Sequence, residues 1–226
     1  MTSLLTTRLG QACRWGFTGA LALGYALLSH LAATSTTHDL LGAVVAVTPM
    51  LGLSFLMLWR ATRRGLMLPL WLAACALLYG SKDWLITHYN WVFLLEHAGT
   101  YLLLCATFGL TLRHGQTPMI SRFASLLHGS LSPALKAYTR SATWAWTLYF
   151  GGIAGLSLLL FWLAPISIWS AFAYLLGIPL LVLMFAGEYA ARCHCLPATD
   201  RAGPLEAIRA YRQGSSQGTA QPCRQP

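Results

Sequence analysis

Charged residues are scarce in this chain, and their scarcity limits the class of protein to which it belongs. Only 9% of the 226 residues are Asp, Glu, Lys or Arg, and only six of those are acidic. Soluble domains carry roughly 25% charged residues, whereas this sequence is 56% hydrophobic. The composition argues against an ordinary soluble fold and favours a protein that faces lipid.

The sequence motifs of common soluble catalytic sites are also absent. There is no P-loop, no Rossmann fingerprint, no Gly-x-Ser-x-Gly elbow and no His-Glu-x-x-His pair. Basic residues are not interleaved with aromatic ones, so the net charge of +9 does not indicate nucleic-acid binding. Loops beside membrane spans and anionic lipids explain that charge better. We therefore predict no cofactor, no metal and no nucleic-acid partner.

Six long apolar runs fill most of the chain. Five have the length at which a helix crosses a bilayer, about 17 to 25 residues, and the third is shorter, at ~24 Å. They do not alternate in hydrophobicity as the strands of a membrane barrel do. We predict an all-α polytopic membrane protein with six transmembrane helices. The spans are at about residues 15–33, 40–59, 65–80, 91–112, 144–163 and 168–189.

The basic residues predict the orientation of these spans. Apart from Lys82, all of them lie before the first span, after the sixth, or in the loops that follow the second and fourth. Cytoplasmic loops retain Lys and Arg, so both termini are predicted cytoplasmic. Residues 1–192 then form the membrane domain. Residues 193–226 form a tail that is disordered from about residue 213, where Gly, Ser, Gln and Pro dominate.

Local patterns predict further features. Residues 118–128 are amphipathic at helical spacing, which is typical of a helix at the cytoplasmic interface. Ser132 is a candidate N-cap, since Pro133 follows it at the first helical position. Gly151 and Gly155 allow close helix packing, within one chain or in a homodimer. Pro179 predicts a kink in the sixth span.

Ionisable residues inside a membrane are costly and therefore mark candidate functional sites. Glu96 and His97 are the clearest, and we consider them candidates for catalysis or for substrate contact. Four interpretations remain open: a metal site, a proton relay, recognition of a lipid head group, or an ion pair that only fixes helix packing. Other polar residues are predicted at the same outer side, namely His30, His38, Asp39, Lys82, Asp83 and His88.

Additional residues are candidates for lipid or substrate contact. Tyr101 and Cys105 follow His97 on one helix face. The interfacial segment and the loop after it contribute Arg122, His128 and Arg140. In the sixth helix, Glu188 and Arg192 are spaced for a stabilising helical pair.

Several short sequences between residues 93 and 212 carry a family resemblance. They are Leu94-Leu95-Glu96-His97-Ala98-Gly99, Leu127-His128-Gly129, Tyr138-Thr139-Arg140, Trp144-Ala145-Trp146-Thr147-Leu148, Glu188-Tyr189 and Ala207-Ile208-Arg209-Ala210-Tyr211-Arg212. With them the chain resembles an uncharacterised family of bacterial inner-membrane proteins. Genes of that family lie near fatty-acid-synthase-like clusters for aryl polyene and xanthomonadin-type pigments, and some members are labelled "ketosynthase". The chain lacks the soluble body and the nucleophilic Cys with basic partners that a condensing enzyme needs.

The resemblance implies an inner-membrane accessory protein that supports the assembly, handling or export of an aryl polyene-type lipid. Membrane lipids and polyene or fatty-acid biosynthesis enzymes are its expected partners. Two alternatives remain: a membrane enzyme that acts on a lipid-linked acyl chain, and a proton-coupled carrier. The resemblance brings no catalytic residues with it.

Overall fold

A computed structural model describes residues 2–34, 39–61, 64–128 and 131–197, and no strand occurs in these ranges. The helices are α1 (Thr2–Thr34), α2 (Asp39–Arg60), α3 (Arg64–Gly80), α4 (Lys82–Leu110), α5 (Met119–His128), α6 (Pro133–Leu163), α7 (Ile166–Ser170) and α8 (Gly177–Cys195). A π-helical segment, Ala171–Leu176, joins α7 to α8. The predicted all-α class is confirmed. The predicted disordered tail lies outside the described residues.

Five helical stretches in the described part are long and apolar enough to cross a membrane. They are Gly16–Thr34, Leu40–Arg60, Lys82–Leu110, Pro133–Leu163 and Ile166–Cys195. The apolar part of α3, Met67–Gly80, is shorter and reaches only about 21 Å. The architecture fits a polytopic membrane protein, and a total of six spans, with Met67–Gly80 as the third, stays a prediction.

The outer surfaces of these helices are apolar. Leu21, Leu103, Leu159 and Leu183 are each more than half exposed. Soluble monomers rarely expose contiguous apolar patches larger than a few hundred Å². Such a surface is stable where the surroundings are hydrocarbon, which agrees with the length and composition of the helices.

The junction of α3 and α4 differs from the predicted loop. The Ser81 N–H donates to the Leu77 carbonyl and the Leu85 N–H donates to the Ser81 carbonyl, both at 3.0 Å. The helix therefore resumes at Lys82, well before the predicted start of the fourth span at residue 91. The backbone bends at His88 (φ −122°, ψ 19°), whose imidazole stacks on Trp84 at 4.8 Å.

The helices pack into two compact units, and each unit combines separate stretches of chain. The first contains the described residues up to Gly99 together with Gly155–Pro179. The second contains Thr100–Ala154 together with the described residues from Leu180 onward. The predicted domain boundary at residue 192 falls inside α8, which continues to Cys195.

Residues of α1, α2, α4, α7 and the π-helical segment form the core of the first unit. Phe93 and Trp169 are fully buried there, and Ala46 lies among them. Gly42 lies against the Tyr89 ring, where an added Cβ would come within 2.7 Å of the ring carbon Cε2. Only glycine fits this contact without a shift of the ring.

In the second unit, α5 is fixed by hydroxyl groups from its neighbours. The Met119 N–H donates to Thr111 Oγ1 at 2.9 Å, and the Ile120 N–H donates to Thr143 Oγ1 at 3.2 Å. These bonds satisfy donors of the first helical turn that have no partner within the helix. The buried Ser121 hydroxyl pairs with Thr139 at 2.6 Å. The helix is thus held to the protein through polar atoms.

This attachment corrects the expected position of Ser121. The sequence pattern placed Ser121 on the polar face of α5, away from Phe123 and Leu126, but this serine is only 3% exposed. Its hydroxyl is turned toward α6 because a hydrogen-bond partner is available there. Phe123 and Leu126 face outward instead, as expected of a helix beside lipid.

The start of α6 follows the prediction. The Leu135 N–H donates to the Ser132 side-chain oxygen at 3.1 Å, and the helix begins at Pro133. The predicted N-cap is confirmed.

Further along α6, a Cβ on Gly151 would lie 3.3 Å from Cys105 Sγ. Packing within one chain therefore explains Gly151, and dimerisation through Gly151 and Gly155 stays a prediction.

The expected kink at Pro179 takes another form. Pro179 lies in the first turn of α8, directly after the π-helical segment. It has no N–H to donate to the carbonyl four residues earlier. The helix is widened before this proline, over Ala171–Leu176.

Candidate functional site

Glu96 and His97 lie in α4 within the apolar first unit. Glu96 follows the bend at His88 by eight residues, which is about 12 Å along a helix axis. The side chains of Glu96 and His97 are half-buried, and their neighbours Phe93, Leu94 and Ala98 are buried. Two ionisable groups are therefore held among apolar residues inside a candidate span.

His97 belongs to a network that links three helices. Its Nδ1 lies 2.9 Å from the Ser157 hydroxyl oxygen of α6, and the Trp169 indole N–H donates to the same oxygen at 3.0 Å. Ser157 and Trp169 are fully buried. The serine hydroxyl can donate its proton to His97 Nδ1 while its oxygen accepts from tryptophan. That arrangement leaves the histidine proton on Nε2.

The Ser157–His97 pair resembles a nucleophile beside a base. However, Ser157 has no exposed surface, and the Trp169 indole occupies one side of its oxygen. A substrate carbonyl has no route to a serine in this position. The arrangement orients the imidazole and is better suited to positioning than to covalent catalysis.

A second polar contact joins α1 to α7 in the same unit. His30 Nδ1 lies 2.8 Å from the Ser170 hydroxyl, and Ser170 in turn lies 3.1 Å from the Ser167 carbonyl. Ser170 and the neighbouring Ser29 of α1 are fully buried. Polar side chains thus join α1 and α7 in addition to their apolar contacts.

Two tyrosines lie within electrostatic range of Glu96. Tyr25 of α1 and Tyr174 of the π-helical segment each lie close enough to Glu96 to interact with it electrostatically. The Tyr174 ring packs edge-on against Phe93, with ring centroids 5.5 Å apart. A carboxyl group with two phenol groups in its vicinity can bind a proton, a cation or a hydroxyl-bearing polar group.

The backbone is irregular on both sides of this cluster. The bend at His88 lies two turns before Glu96, and the π-helical segment that carries Tyr174 ends at Leu176. Short π segments inside α-helices often occur at functional sites. Interrupted helices are also where membrane transporters bind substrates. The cluster formed by Glu96, His97, Ser157, Tyr25 and Tyr174 is hereafter called the polar cluster.

Other residues predicted at this side are not part of the polar cluster. Lys82 lies over the Tyr79 ring, 5.5 Å from its centroid, and Asp83 is exposed. His88 contacts the Trp84 carbonyl at 3.0 Å. His38 and the side chain of Asp39 lie outside the described residues. No group of three metal-ligating side chains occurs in the part of the chain that the structure describes.

The expected ion pair of Glu96 is also not observed. Among the described residues, one salt bridge is observed, between Arg192 and Glu188 at 2.8 Å. That pair was predicted from its helical spacing and is confirmed. The Tyr138 hydroxyl also contacts the Glu188 carboxylate, at 2.8 Å. The packing-only interpretation, an ion pair of Glu96 with Lys82 or a histidine, therefore has no support among the described residues.

The remaining candidates lie in the second unit. The Tyr101 ring packs against Phe150, with centroids 6.2 Å apart. The Arg140 guanidinium donates to the Leu112 carbonyl at 3.1 Å. Arg122 is exposed at the start of α5, and the side chain of His128 lies outside the described residues. The sequence candidates thus divide between the two units.

Sequence reasoning missed four members of the polar network. None of Ser157, Trp169, Tyr25 and Tyr174 is predicted as a site residue from the sequence. Serine and tyrosine are common in membrane helices, so nothing in their spacing marks them as partners of Glu96 or His97. The one available signal was their predicted depth, which matches that of Glu96 on the neighbouring spans.

Comparisons of this chain with protein-family models, with curated proteins and with solved structures gave no match.

Proposed function

We propose that this chain binds the polar group of a membrane amphiphile at the polar cluster and acts as a non-enzymatic accessory protein. The observation that carries the proposal is Glu96, a half-buried carboxyl group in a candidate span without an ion-pair partner among the described residues. Uncompensated ionisable groups at such positions are costly. A ligand that hydrogen-bonds to Glu96 would offset that cost.

The chemistry of the surroundings supports an amphiphilic ligand. The phenol groups of Tyr25 and Tyr174 beside Glu96 suit a hydroxyl or carboxyl head. The outer apolar faces of the same helices suit a long hydrocarbon chain. An aryl polyene-type lipid has both parts, and the family resemblance suggests that class. The proposed role is support of its assembly, handling or export.

The proposal includes six spans in a bacterial inner membrane with both termini in the cytoplasm. The distribution of basic residues supports this topology, with Met67–Gly80 as the short third span. A reporter fused after His38 tests it. We expect activity from a reporter that works outside the cytoplasm, and activity from a cytoplasmic reporter would contradict the topology.

Profiling of lipids and pigments in a deletion strain tests the function itself. The strain is complemented with the wild type, with Glu96→Gln, or with Asp83→Asn as a control. Asp83 is an exposed carboxylate on the same helix. We expect the wild type and Asp83→Asn to restore the profile and Glu96→Gln to fail at equal protein levels. Restoration by all three would contradict a role for Glu96.

A proton-coupled carrier is the second candidate, and the phenol groups beside Glu96 favour it. A carboxyl group with phenol groups in its vicinity can take up and release a proton as the ligand binds. A carrier with Glu96→Gln should bind its ligand but no longer respond to a pH gradient. An enzyme with the same change should keep lipid binding and lose turnover.

A further inference from the structure

A cluster of basic side chains surrounds the turn between α4 and α5 in the second unit. The exposed ones that lie in the turn or contact it are Arg113, Arg122 and Arg140. The sequence contains no acidic residue between Glu96 and Glu188, and Glu188 is already bound to Arg192. The positive charge of the cluster is therefore not neutralised by carboxylates in the described part of this unit.

Two guanidinium groups of the cluster are held by the turn itself. Arg122 donates from Nε to the Thr117 carbonyl at 3.0 Å and from Nη2 to Gln116 Oε1 at 3.3 Å. Arg140 donates to the Leu112 carbonyl at 3.1 Å. A guanidinium has five N–H donors in a planar array. Both arginines therefore keep free donors while their orientation is fixed.

The turn that holds them is compact. Gly115 has φ 80°, a conformation that favours glycine, and the Gln116 N–H donates to the Arg113 carbonyl at 3.1 Å. The carbonyls of Leu112 and Thr117 are five residues apart, so even a fully extended chain would separate them by at most about 17 Å. The two guanidinium groups are thus presented by one small structure.

Apolar side chains lie beside these charges. Leu126 is one helical turn beyond Arg122, and residues at this spacing lie on the same helix face. Phe123 is 56% exposed and Leu126 is 75% exposed. A soluble anion would leave these side chains in water, whereas a phospholipid would cover them with its acyl chains. The pairing of charge and apolar surface favours a lipid as the occupant.

We propose that Arg122 and Arg140, held by the turn between α4 and α5, bind the phosphate of an anionic phospholipid. Phe123 and Leu126 contact the acyl chains of that lipid. Arginine suits this task because its planar donors match phosphate oxygens. The site lies in the second unit and is independent of the amphiphile proposed for Glu96, so either proposal stands if the other fails.

Thermal unfolding of the full chain in lipid nanodiscs tests this site. The midpoint is measured in phosphatidylcholine and in phosphatidylglycerol, and the difference between the two is compared among variants. A ligand that binds only the folded state raises the midpoint. We expect a positive difference for the wild type, and expect Arg122→Gln and Arg140→Gln each to lose most of it. Using the difference removes any general destabilisation by the substitution.

Two further variants make the result specific. Arg113→Gln removes an exposed charge from the same turn and should keep the difference. Arg122→Lys keeps the charge but not the planar donors, and should keep only part of the difference in midpoint between the two lipids. Equal loss in Arg113→Gln would mean diffuse attraction and would overturn the proposal. So would an equal midpoint in the two lipids, or the same shift from inorganic phosphate in phosphatidylcholine.

Discussion

Replacement of Ser157 by alanine is the sharpest test of the polar network in the first unit. The change removes one oxygen that lies 2.9 Å from His97 Nδ1 and 3.0 Å from Trp169 Nε1. Both partners then lose a hydrogen bond in a place where Ser157 and Trp169 have no exposed surface. Little volume is lost, so the effect on stability reports the two hydrogen bonds.

The size of the destabilisation expected from Ser157→Ala depends on the surroundings of the lost hydrogen bonds. A buried polar group left without a partner costs about 1–3 kcal/mol in soluble proteins. Hydrogen bonds between membrane helices contribute less, about 0.6 kcal/mol on average and at most about 1.7. The lower range applies because the unfolded chain in a micelle also finds partners. For two bonds we expect Ser157→Ala to lower the free energy of unfolding by roughly 1–3 kcal/mol.

Ser54 provides a matched control in α2. It accepts the Trp71 indole N–H at 3.1 Å, but it is only half-buried and has no histidine partner. We expect Ser54→Ala to cost about 1 kcal/mol less than Ser157→Ala. The assay is equilibrium unfolding of the purified protein in mixed micelles with increasing SDS, followed by tryptophan fluorescence.

A double-mutant cycle with Trp169→Phe isolates one of the two bonds. If the Ser157–Trp169 hydrogen bond stabilises the protein, the two substitutions should be non-additive by about 0.6 kcal/mol or more. Additive effects, together with equal costs of Ser157→Ala and Ser54→Ala, would refute the reasoning. The network would then be a geometric coincidence without energetic weight.

Two further substitutions test packing and capping. Gly42→Ala should destabilise the protein by about 1–3 kcal/mol because the new methyl group meets the Tyr89 ring. Gly52→Ala is the control, since no neighbouring atom lies within 4 Å of the added Cβ, and it should be neutral or stabilising by up to about 1 kcal/mol. The same SDS titration measures the free energy of unfolding of both variants. Ser132→Ala should cost about 1 kcal/mol through loss of the N-cap bond to Leu135, and Ser132→Asp should restore it. An unchanged free energy of unfolding in Ser132→Ala would show that the cap does not stabilise the protein.

The helical architecture could be predicted because apolar length and charge are properties of single segments. The N-cap at Ser132 and the pair of Glu188 with Arg192 were equally local, since each depends on residues at most four positions apart. The early start of α4 at Lys82 was not predicted, because the polar residues that follow it suggested a loop. In the structure, hydrogen bonds through Ser81 carry the helical turn across that position.

The partners in the site could not be predicted because they depend on which helices meet. Ser157 contacts His97 across 60 residues of sequence, and His30 contacts Ser170 across 140. No spacing rule connects such positions. Depth in the membrane narrows the choice, but rotation of each helix about its axis decides which polar groups meet. The burial of Ser121 shows the same limit on a smaller scale.

The central claim is that Glu96 contacts a membrane amphiphile. Mass spectrometry of the lipids that remain bound to the purified protein tests it directly, with Asp83→Asn as the control for loss of a carboxylate. A hydrogen bond contributes about 1 kcal/mol, and more where one partner is charged, which corresponds to roughly fivefold or more in affinity. We predict a lipid species that the wild type and Asp83→Asn retain and that Glu96→Gln loses by about that factor. The same lipids in the same amounts on all three proteins would contradict the account.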